Sequence, residues 1–262
     1  MRQVVQMKCK NLIICWDAVA PEIMELKEFD FPHSGNLLCL PTRGEDWSCT
    51  LTSMISLYRG KIWNKYCNWE KDFLLNDFEN ELIKKGSWGL VGIPWLYPIP
   101  EDLKGWAIVS FPNPSMPKCS DKYEKHGKAF TEGLESDFNA LNDAWNEGVY
   151  DPIKEYELKA KIIEKTPYVD NLFIEFDSVN RGYYKVARDE KEFWKGCLEF
   201  TYKMLDLIKP ETYVIFSDHG RPKSPKGYSR QGMWASNLNL NLKTFEDLIE
   251  VLHRNPCLSD KR

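Results

Sequence analysis

The sequence is poor in histidine and contains no cluster of basic residues, no long apolar run and no internal repeat. Only four of its 262 residues are histidines, the formal net charge is −4, and Lys and Arg are scattered along the chain. Binding to a nucleic-acid backbone requires clustered positive charge, so we expect no nucleic-acid polymer as a partner. The apolar run before Asp17 (LIICW) is too short for a signal segment or a membrane span, which predicts a cytoplasmic protein with no membrane partner.

Paired cysteines are also missing, although the chain contains eight cysteines. No two of them form a C-x-x-C pair, which argues against a zinc knuckle or a thioredoxin-like redox motif. We therefore expect most of them to be small buried apolar residues, and the sequence leaves open whether any form disulfides.

Strand-like and helix-like segments alternate along the chain, and its length suits one large α/β domain, which we place at residues 1–262. The strands are predicted at 11–16, 88–93, 106–111, 171–176 and 212–216, and the helices at 21–27, 50–59, 69–85, 151–165, 189–208 and 244–253. This alternation predicts a mostly parallel central sheet with helices on both faces. The long polar loop at 112–127 is a candidate lid.

Three predicted strands each lead into an aspartate. Asp17 follows LIICW, Asp177 follows NLFIEF, and Asp218 follows YVIFS, with His219 directly after it. The carboxyl ends of parallel strands meet at one edge of a sheet, so these carboxylates should lie close together. Their mutual repulsion would be costly without a cation, and Asp and His are common metal ligands. The pattern therefore predicts a divalent metal site.

Five segments of the chain together form a pattern: ICWDAVAPEIM (14–24), TLTSMISLYRGK (50–61), the Pro-rich stretch 90–115, FIEFDSVNR (173–181) and IFSDHG (215–220). In this order they resemble the alkaline phosphatase superfamily, and within it the type I phosphodiesterase and nucleotide pyrophosphatase branch, which is related to the sulfatases. The resemblance implies an alkaline phosphatase-like αβα sandwich, a metal-dependent phosphoric ester hydrolase activity and a small-molecule phosphate ester as substrate.

The resemblance implies a nucleophile at Thr50, because the family's nucleophile begins a helix and a glycine follows ten residues later, here Gly60. Ser48 and Cys49 are the alternatives if the register differs by one or two residues. A competing match is Cys39-Leu40-Pro41-Thr42-Arg43, which is similar to the C-x-P-S-R signature of sulfatases. Thr50 could also be a simple helix N-cap, a role compatible with catalysis because free backbone N–H groups at a helix start bind phosphoryl oxygens.

The family's ligand pattern further implies one complete metal site. Its residues would be Asp17, Thr50, Asp218 and His219, with Thr50 attacking phosphorus and forming a phospho-threonine intermediate. This ligand set suits Zn²⁺ or Mn²⁺ better than Mg²⁺. We expect a single occupied site.

The family's second metal site is incomplete in this chain. Asp177 is present, but position 181, where the family has a histidine, is Arg181. The family's third ligand to this site is a more distant histidine. The segment 227–237, where that ligand could lie, contains no histidine and offers Gln231 instead. Arg181 could replace the missing cation and bind a phosphoryl oxygen, with Gln231 also contacting substrate, or Arg181 could form only a salt bridge with an acidic neighbour.

The expected function is a phosphodiesterase or phosphotransferase acting through phospho-Thr50. Two alternatives remain open: a non-catalytic member of the superfamily that serves as a binding module, and a sulfatase-like hydrolase. The sequence does not reveal the substrate, the metal or the oligomeric state.

Overall fold

The computed structural model describes residues 8–39, 88–91, 105–108, 140, 152–165, 168–176, 190–224 and 227–254. The strands in these ranges are β1 (Cys9–Trp16), β2 (His33–Leu38), β3 (Trp88–Val91), β4 (Gly105–Ile108), β5 (Val169–Phe176), β6 (Thr212–Ser217), β7 (Pro222–Ser224), β8 (Gly227–Tyr228) and β9 (Gln231–Ser236). The helices are a 3-10 helix (Pro21–Glu25), α1 (Pro152–Lys165), α2 (Glu190–Ile208) and α3 (Phe245–Arg254).

Seven strands form one sheet in the order β2-β9-β6-β1-β5-β3-β4. Strands β6, β1, β5, β3 and β4 are parallel to their neighbours in this group, whereas β9 is antiparallel to both β6 and β2. The α/β class is confirmed, but the sheet is mixed, so the prediction of a mostly parallel sheet is not confirmed. The chain returns antiparallel from β6 to β9 because the small β7–β8 sheet, rather than a crossover helix, connects them.

Helices cover both faces of the sheet. On one face, Ile14, Ile174 and Ile215 lie in register on the three central strands and belong to a cluster with buried residues of α1 and α2. On the opposite face, the Phe216 ring packs against Phe245 of α3, with 5.7 Å between ring centroids. Successive strand residues point to opposite faces, so the central strands are apolar on both sides and form the core.

Most of the predicted elements that fall on described residues are present, with ends shifted by a few residues. The segment predicted as a helix at 21–27 forms a 3-10 helix at Pro21–Glu25, and strands β2, β7, β8 and β9 were not predicted. The predicted helices at 50–59 and 69–85 and the lid at 112–127 lie outside the described residues. Within the described part of the chain, no helix is long and apolar enough to span a membrane.

Candidate functional site

The candidate site lies at the carboxyl ends of β1 and β6. These neighbouring parallel strands are in register, with their last residues, Trp16 and Ser217, paired. The next residues along each strand are therefore Asp17 and Asp218, at the same sheet edge. The Asp17 amide donates a 2.9 Å hydrogen bond to the carbonyl of Phe176 on β5, so the third central strand also helps to position this aspartate.

Asp17, Asp218 and His219 form a compact buried cluster. The His219 Nε2 atom is 2.9 Å from Asp17 Oδ1 and 3.8 Å from Asp218 Oδ1. One ligand atom from each residue lies within 4.8 Å of the others. The residues are 7%, 1% and 1% exposed, respectively, so the charges of the cluster are largely removed from water. The structure therefore brings together three of the four residues predicted to converge at this edge, and the fourth, Asp177, lies outside the described residues.

The turn after Asp17 is held against the turn after Ser217. Ala18 has a φ of 65°, in the left-handed region that residues with a side chain seldom occupy. Its amide lies 3.4 Å from Asp218 Oδ1, and the Val19 amide donates to Ser217 Oγ at 3.0 Å. Ser217 Oγ in turn donates to the carbonyl of His219 at 2.5 Å. The strained turn is therefore stabilised by contacts with the segment that carries the other two site residues.

The orientation of the His219 ring is fixed by a hydrogen bond on the side of the ring opposite the carboxylates. Its Nδ1 lies 2.9 Å from the carbonyl of Gly220, which can only accept a hydrogen bond, so Nδ1 carries the proton. In the neutral ring, the Nε2 lone pair then faces the two carboxylates. A backbone carbonyl that accepts from the second ring nitrogen is the usual arrangement of a histidine that binds a metal.

Gly220 is needed at its position because the backbone approaches another strand closely. A β-carbon there would lie 2.2 Å from the carbonyl oxygen of Gln231, at the start of β9. The Gly220 amide also donates to the carbonyl of Ser229 at 2.8 Å. The loop that carries His219 is therefore attached directly to the β9 side of the sheet.

The electrostatics of the cluster favour a cation. Burial alone would lower the pKa of His219, but the charges of Asp218 and Asp17 and the bond to Gly220 outweigh it and raise the pKa to about 9. Burial raises the pKa of the neighbouring Cys15 thiol well above its ordinary value, and Asp218, Glu175 and Asp17 raise it further. The field at this sheet edge is therefore negative, and it stabilises positive charge.

The donor set fits a divalent metal ion. Two carboxylates and one imidazole nitrogen converge in a buried position, and the imidazole is already oriented by a backbone carbonyl. Oxygen and nitrogen donors of this kind suit Zn²⁺ and Mn²⁺. Asp17, Asp218 and His219 are the residues that would hold the ion.

Of the other predicted site residues, the structure describes only Gln231. Thr50, Asp177 and Arg181 lie outside the described residues, so their roles stay predictions. Gln231 is described, and its side chain is exposed while its carbonyl faces Gly220. A substrate contact by the Gln231 side chain also stays a prediction.

Cys39, the cysteine of the sulfatase-like match, is fully buried. Its thiol donates to the carbonyl of Ser217 at 3.1 Å, and a β-carbon on Gly232 would lie 2.4 Å from its Sγ. Burial raises the pKa of this thiol far above its ordinary value, with Asp218 adding to the shift. A protonated, enclosed thiol does not favour Cys39 as a reactive residue.

Sequence reasoning missed two features of the site region. Ser217 joins both turns through its hydroxyl, although in the sequence it is only the residue before an Asp-His pair. Glu155 and Lys159 on α1 form a buried ion pair near the end of β5. Their i, i+4 spacing was visible, but such a pair on a helix normally indicates an exposed face.

The sequence matches no protein-family model and no curated protein. Among solved structures, the chain is similar to the phosphoglycerol transferase GacH of Streptococcus pyogenes in complex with sn-glycerol-1-phosphate, with 10% identity, 94% of this chain and 74% of that chain covered, and a TM-score of 0.48. It is also similar to the PH0037 protein of Pyrococcus horikoshii, with 10% identity, 98% and 99% covered, and a TM-score of 0.45. The C-terminal periplasmic domain of EcEptC from Escherichia coli gives 11% identity, 95% and 82% covered, and a TM-score of 0.38. Similarity at this level does not determine the activity of this chain.

Proposed function

We propose that this protein is a metal-dependent phosphoric ester hydrolase or phosphotransferase with one metal site. The observation that carries the proposal is the buried convergence of Asp17, Asp218 and His219, with the His219 ring oriented by the carbonyl of Gly220. The resemblance of five sequence segments to the alkaline phosphatase superfamily supports the same class of reaction.

In the proposed mechanism, Asp17, Asp218 and His219 hold the ion and Thr50 supplies the nucleophile. When bound, the ion would lower the pKa of the Thr50 hydroxyl and polarise a phosphoryl oxygen. Thr50 Oγ1 forms a bond to phosphorus while the bond from phosphorus to the leaving oxygen breaks, and the leaving oxygen takes up the proton that Thr50 gives up. Water, or an acceptor alcohol in a transferase, then displaces Thr50 from phosphorus, and Thr50 regains its proton.

We propose that the positive charge of Arg181 replaces that of the missing second metal ion. A guanidinium group can donate two parallel hydrogen bonds to phosphoryl oxygens, so Arg181 would neutralise charge that develops in the transition state. Asp177 would orient Arg181 rather than bind a second ion, and Gln231 would contact the substrate.

We propose Zn²⁺ or Mn²⁺ as the ion and a small phosphate ester as the substrate, in a cytoplasmic protein. The buried position of the Cys39 thiol does not favour the alternative in which a modified cysteine hydrolyses sulfate esters.

The test is a comparison of ester hydrolysis with metal binding. The purified protein is freed of metal with EDTA and assayed with p-nitrophenyl phosphate, bis-p-nitrophenyl phosphate and p-nitrophenyl sulfate in Mn²⁺, Zn²⁺ or Mg²⁺. We expect hydrolysis of a phosphate ester that requires Mn²⁺ or Zn²⁺, and calorimetry should give one ion per chain. Hydrolysis of the sulfate alone would contradict the proposal.

Two variants separate binding from chemistry. Asp218→Asn should abolish metal binding and activity together, because it removes a buried anionic ligand. Thr50→Ala should keep its fold, because a helix cap contributes only about 1 kcal/mol to stability. It should still bind the ion through Asp17, Asp218 and His219, more weakly without the hydroxyl, but lose turnover because the nucleophile is gone. A protein that binds the ion while hydrolysing no ester would instead support the binding-module alternative.

A further inference from the structure

The described structure contains a fully buried ion pair that the proposed mechanism does not use. Lys159 Nζ on α1 lies 2.5 Å from Glu155 Oε1, and both side chains are almost completely removed from solvent. The same ammonium donates to the backbone carbonyl of Glu175 and lies 5.0 Å from the centre of the Phe176 ring. Lys159 therefore binds the last two residues of β5.

The end of β5 that Lys159 contacts is also bonded to Asp17, one of the residues of the candidate metal site. Phe176, at the end of β5, accepts the backbone hydrogen bond of Asp17, and Asp17 contacts His219. Burial raises the pKa of the Cys197 thiol on α2, and the charges of Glu155 and Asp17 raise it further. The charges of Glu155, in the ion pair, and of Asp17, in the candidate metal site, therefore both act on the buried Cys197 thiol.

Stability alone is a weak reason for such a pair. Removing two charges from water costs more than their attraction usually returns, and apolar replacements of buried pairs are often neutral or stabilising. Buried residues of α1 and α2, including Leu158, Ile162 and Phe200, belong to one apolar cluster, so uncharged side chains at positions 155 and 159 suit the surrounding core.

We propose that Lys159 is a positioning residue for the metal site, held by Glu155. Lys159 fixes the carboxyl end of β5, and β5 fixes the backbone of Asp17 so that its carboxylate meets His219. This inference rests on the proposed function for the identity of the ion, but the backbone positioning of Asp17 can be measured without any metal.

The main test variant is Glu155→Leu/Lys159→Met, which removes both charges of the pair, so that no buried charge is left without its partner. The matched control is Glu199→Gln/Lys203→Gln, an exposed i, i+4 pair on α2 with a 2.6 Å separation. The full-length proteins are compared by thermal unfolding in EDTA, by Mn²⁺ calorimetry, and by hydrogen exchange of the Asp17 amide relative to the Ile13 amide in the middle of β1.

We expect the main variant to unfold at the same or a higher temperature than the wild type in EDTA. Its Mn²⁺ affinity should fall roughly tenfold, as when an outer partner of a metal ligand is removed, and its Asp17 amide should exchange faster while Ile13 is unchanged. The control should match the wild type in all three measurements. If the apolar pair does not fold, Glu155→Gln/Lys159→Gln keeps polar side chains at both positions, and the same losses are expected.

Unchanged Mn²⁺ affinity and unchanged Asp17 exchange would overturn the inference. A loss of affinity that appears only with an equal loss of global stability would also overturn it, because the pair would then be merely structural. If the wild type binds no Mn²⁺ or Zn²⁺, the proposed function fails, while the exchange of the Asp17 amide in the metal-free protein still decides whether Lys159 positions that residue.

Discussion

At the residue scale, the geometry of the Asp17, Asp218 and His219 cluster depends as much on backbone contacts as on the three side chains. The carbonyl of Gly220 orients the His219 ring, and the Ser217 hydroxyl connects the two turns that carry Asp17 and Asp218. The first contact orients the His219 ring, and the second holds the backbone of the two turns together. Small changes in the backbone should therefore affect metal binding before they affect the rest of the fold.

Gly220→Ala tests this dependence. The new β-carbon would lie 2.2 Å from the Gln231 carbonyl, so the loop must move and carry the His219 ring with it. We expect a roughly tenfold loss of Mn²⁺ affinity and a loss of about 1–3 kcal/mol in stability, the usual cost of overpacking. Calorimetry and urea unfolding measure the two effects separately.

Gly35→Ala provides the control for Gly220→Ala. Its β-carbon would lie 2.8 Å from the Trp234 indole nitrogen, a side chain on β9, rather than against the loop of His219. This variant should lose stability but keep its metal affinity. Equal losses of affinity in both glycine variants would show that the cluster responds to general loosening of the sheet.

Arg181→Ala tests the assignment of a cation to the second site. If Arg181 stabilises the transition state, its removal should lower turnover by roughly 10²–10³-fold with little change in melting temperature. Arg181→Lys should restore part of the turnover, because it keeps the charge but loses the forked geometry. Full activity combined with a lower melting temperature would mean that Arg181 only neutralises an acidic neighbour.

At the element scale, the site is built from strand ends, and the helices hold these strands from both faces. The end of α3 nearest the sheet is stabilised by a capping box. Thr244 Oγ1 accepts from the Asp247 amide at 3.3 Å, while Asp247 Oδ2 accepts from the amides of Thr244 and Lys243 at 2.8 and 2.9 Å. These backbone bonds lower the pKa of Asp247.

The capping box predicts a specific dependence of stability on pH. The lowered pKa means that Asp247 stabilises the folded state above the pKa of an unfolded aspartate, about 4, and that this contribution is lost as the pH falls through the lower folded value. Asp247→Asn should therefore be less stable than the wild type at pH 7, and the difference should shrink below about pH 4. Urea unfolding at several pH values measures it, with Asp206→Asn on α2 as a control for the loss of a charge. A difference that grows on acidification would exclude this role.

The elements that could be predicted from the sequence are those with a strong periodic pattern. Strands β1, β5 and β6 are continuous apolar runs, and the helix α3 has a clear cap at Thr244. Strands β2 (HSGNLL) and β9 (QGMWAS) contain glycine and polar residues, so their pairing depends on neighbours distant in sequence rather than on local pattern. The antiparallel direction of β9 follows from the β7–β8 connection and was not visible in the apolar pattern.

At the scale of the whole molecule, the site follows from topology. Asp17 and Asp218 are 201 positions apart but adjacent in space, because β1 and β6 are neighbouring parallel strands in register. The rule that strand ends share an edge was enough to predict this convergence. It could not predict that α1 would bring the Glu155–Lys159 pair beneath the end of β5, because the burial of a charged helical pair depends on how the helix packs.

Metal binding at this edge should stabilise the entire chain, because the ligands come from segments far apart in sequence. An ion that binds only the folded state at a free concentration 100 times its Kd adds about 2.7 kcal/mol. For a chain of this size, that corresponds to a rise in melting temperature of roughly 5–10 °C. We expect this rise when Mn²⁺ or Zn²⁺ is added to EDTA-treated protein, with a stoichiometry of one.

Asp218→Asn should show no rise, since it lacks a ligand, and the exposed control variant Glu199→Gln/Lys203→Gln should behave as the wild type does. An equal rise in the melting temperature of Asp218→Asn would mean that the ion binds elsewhere. Two ions bound per chain would contradict the single site and would favour Asp177 as a ligand of the second ion rather than a partner of Arg181.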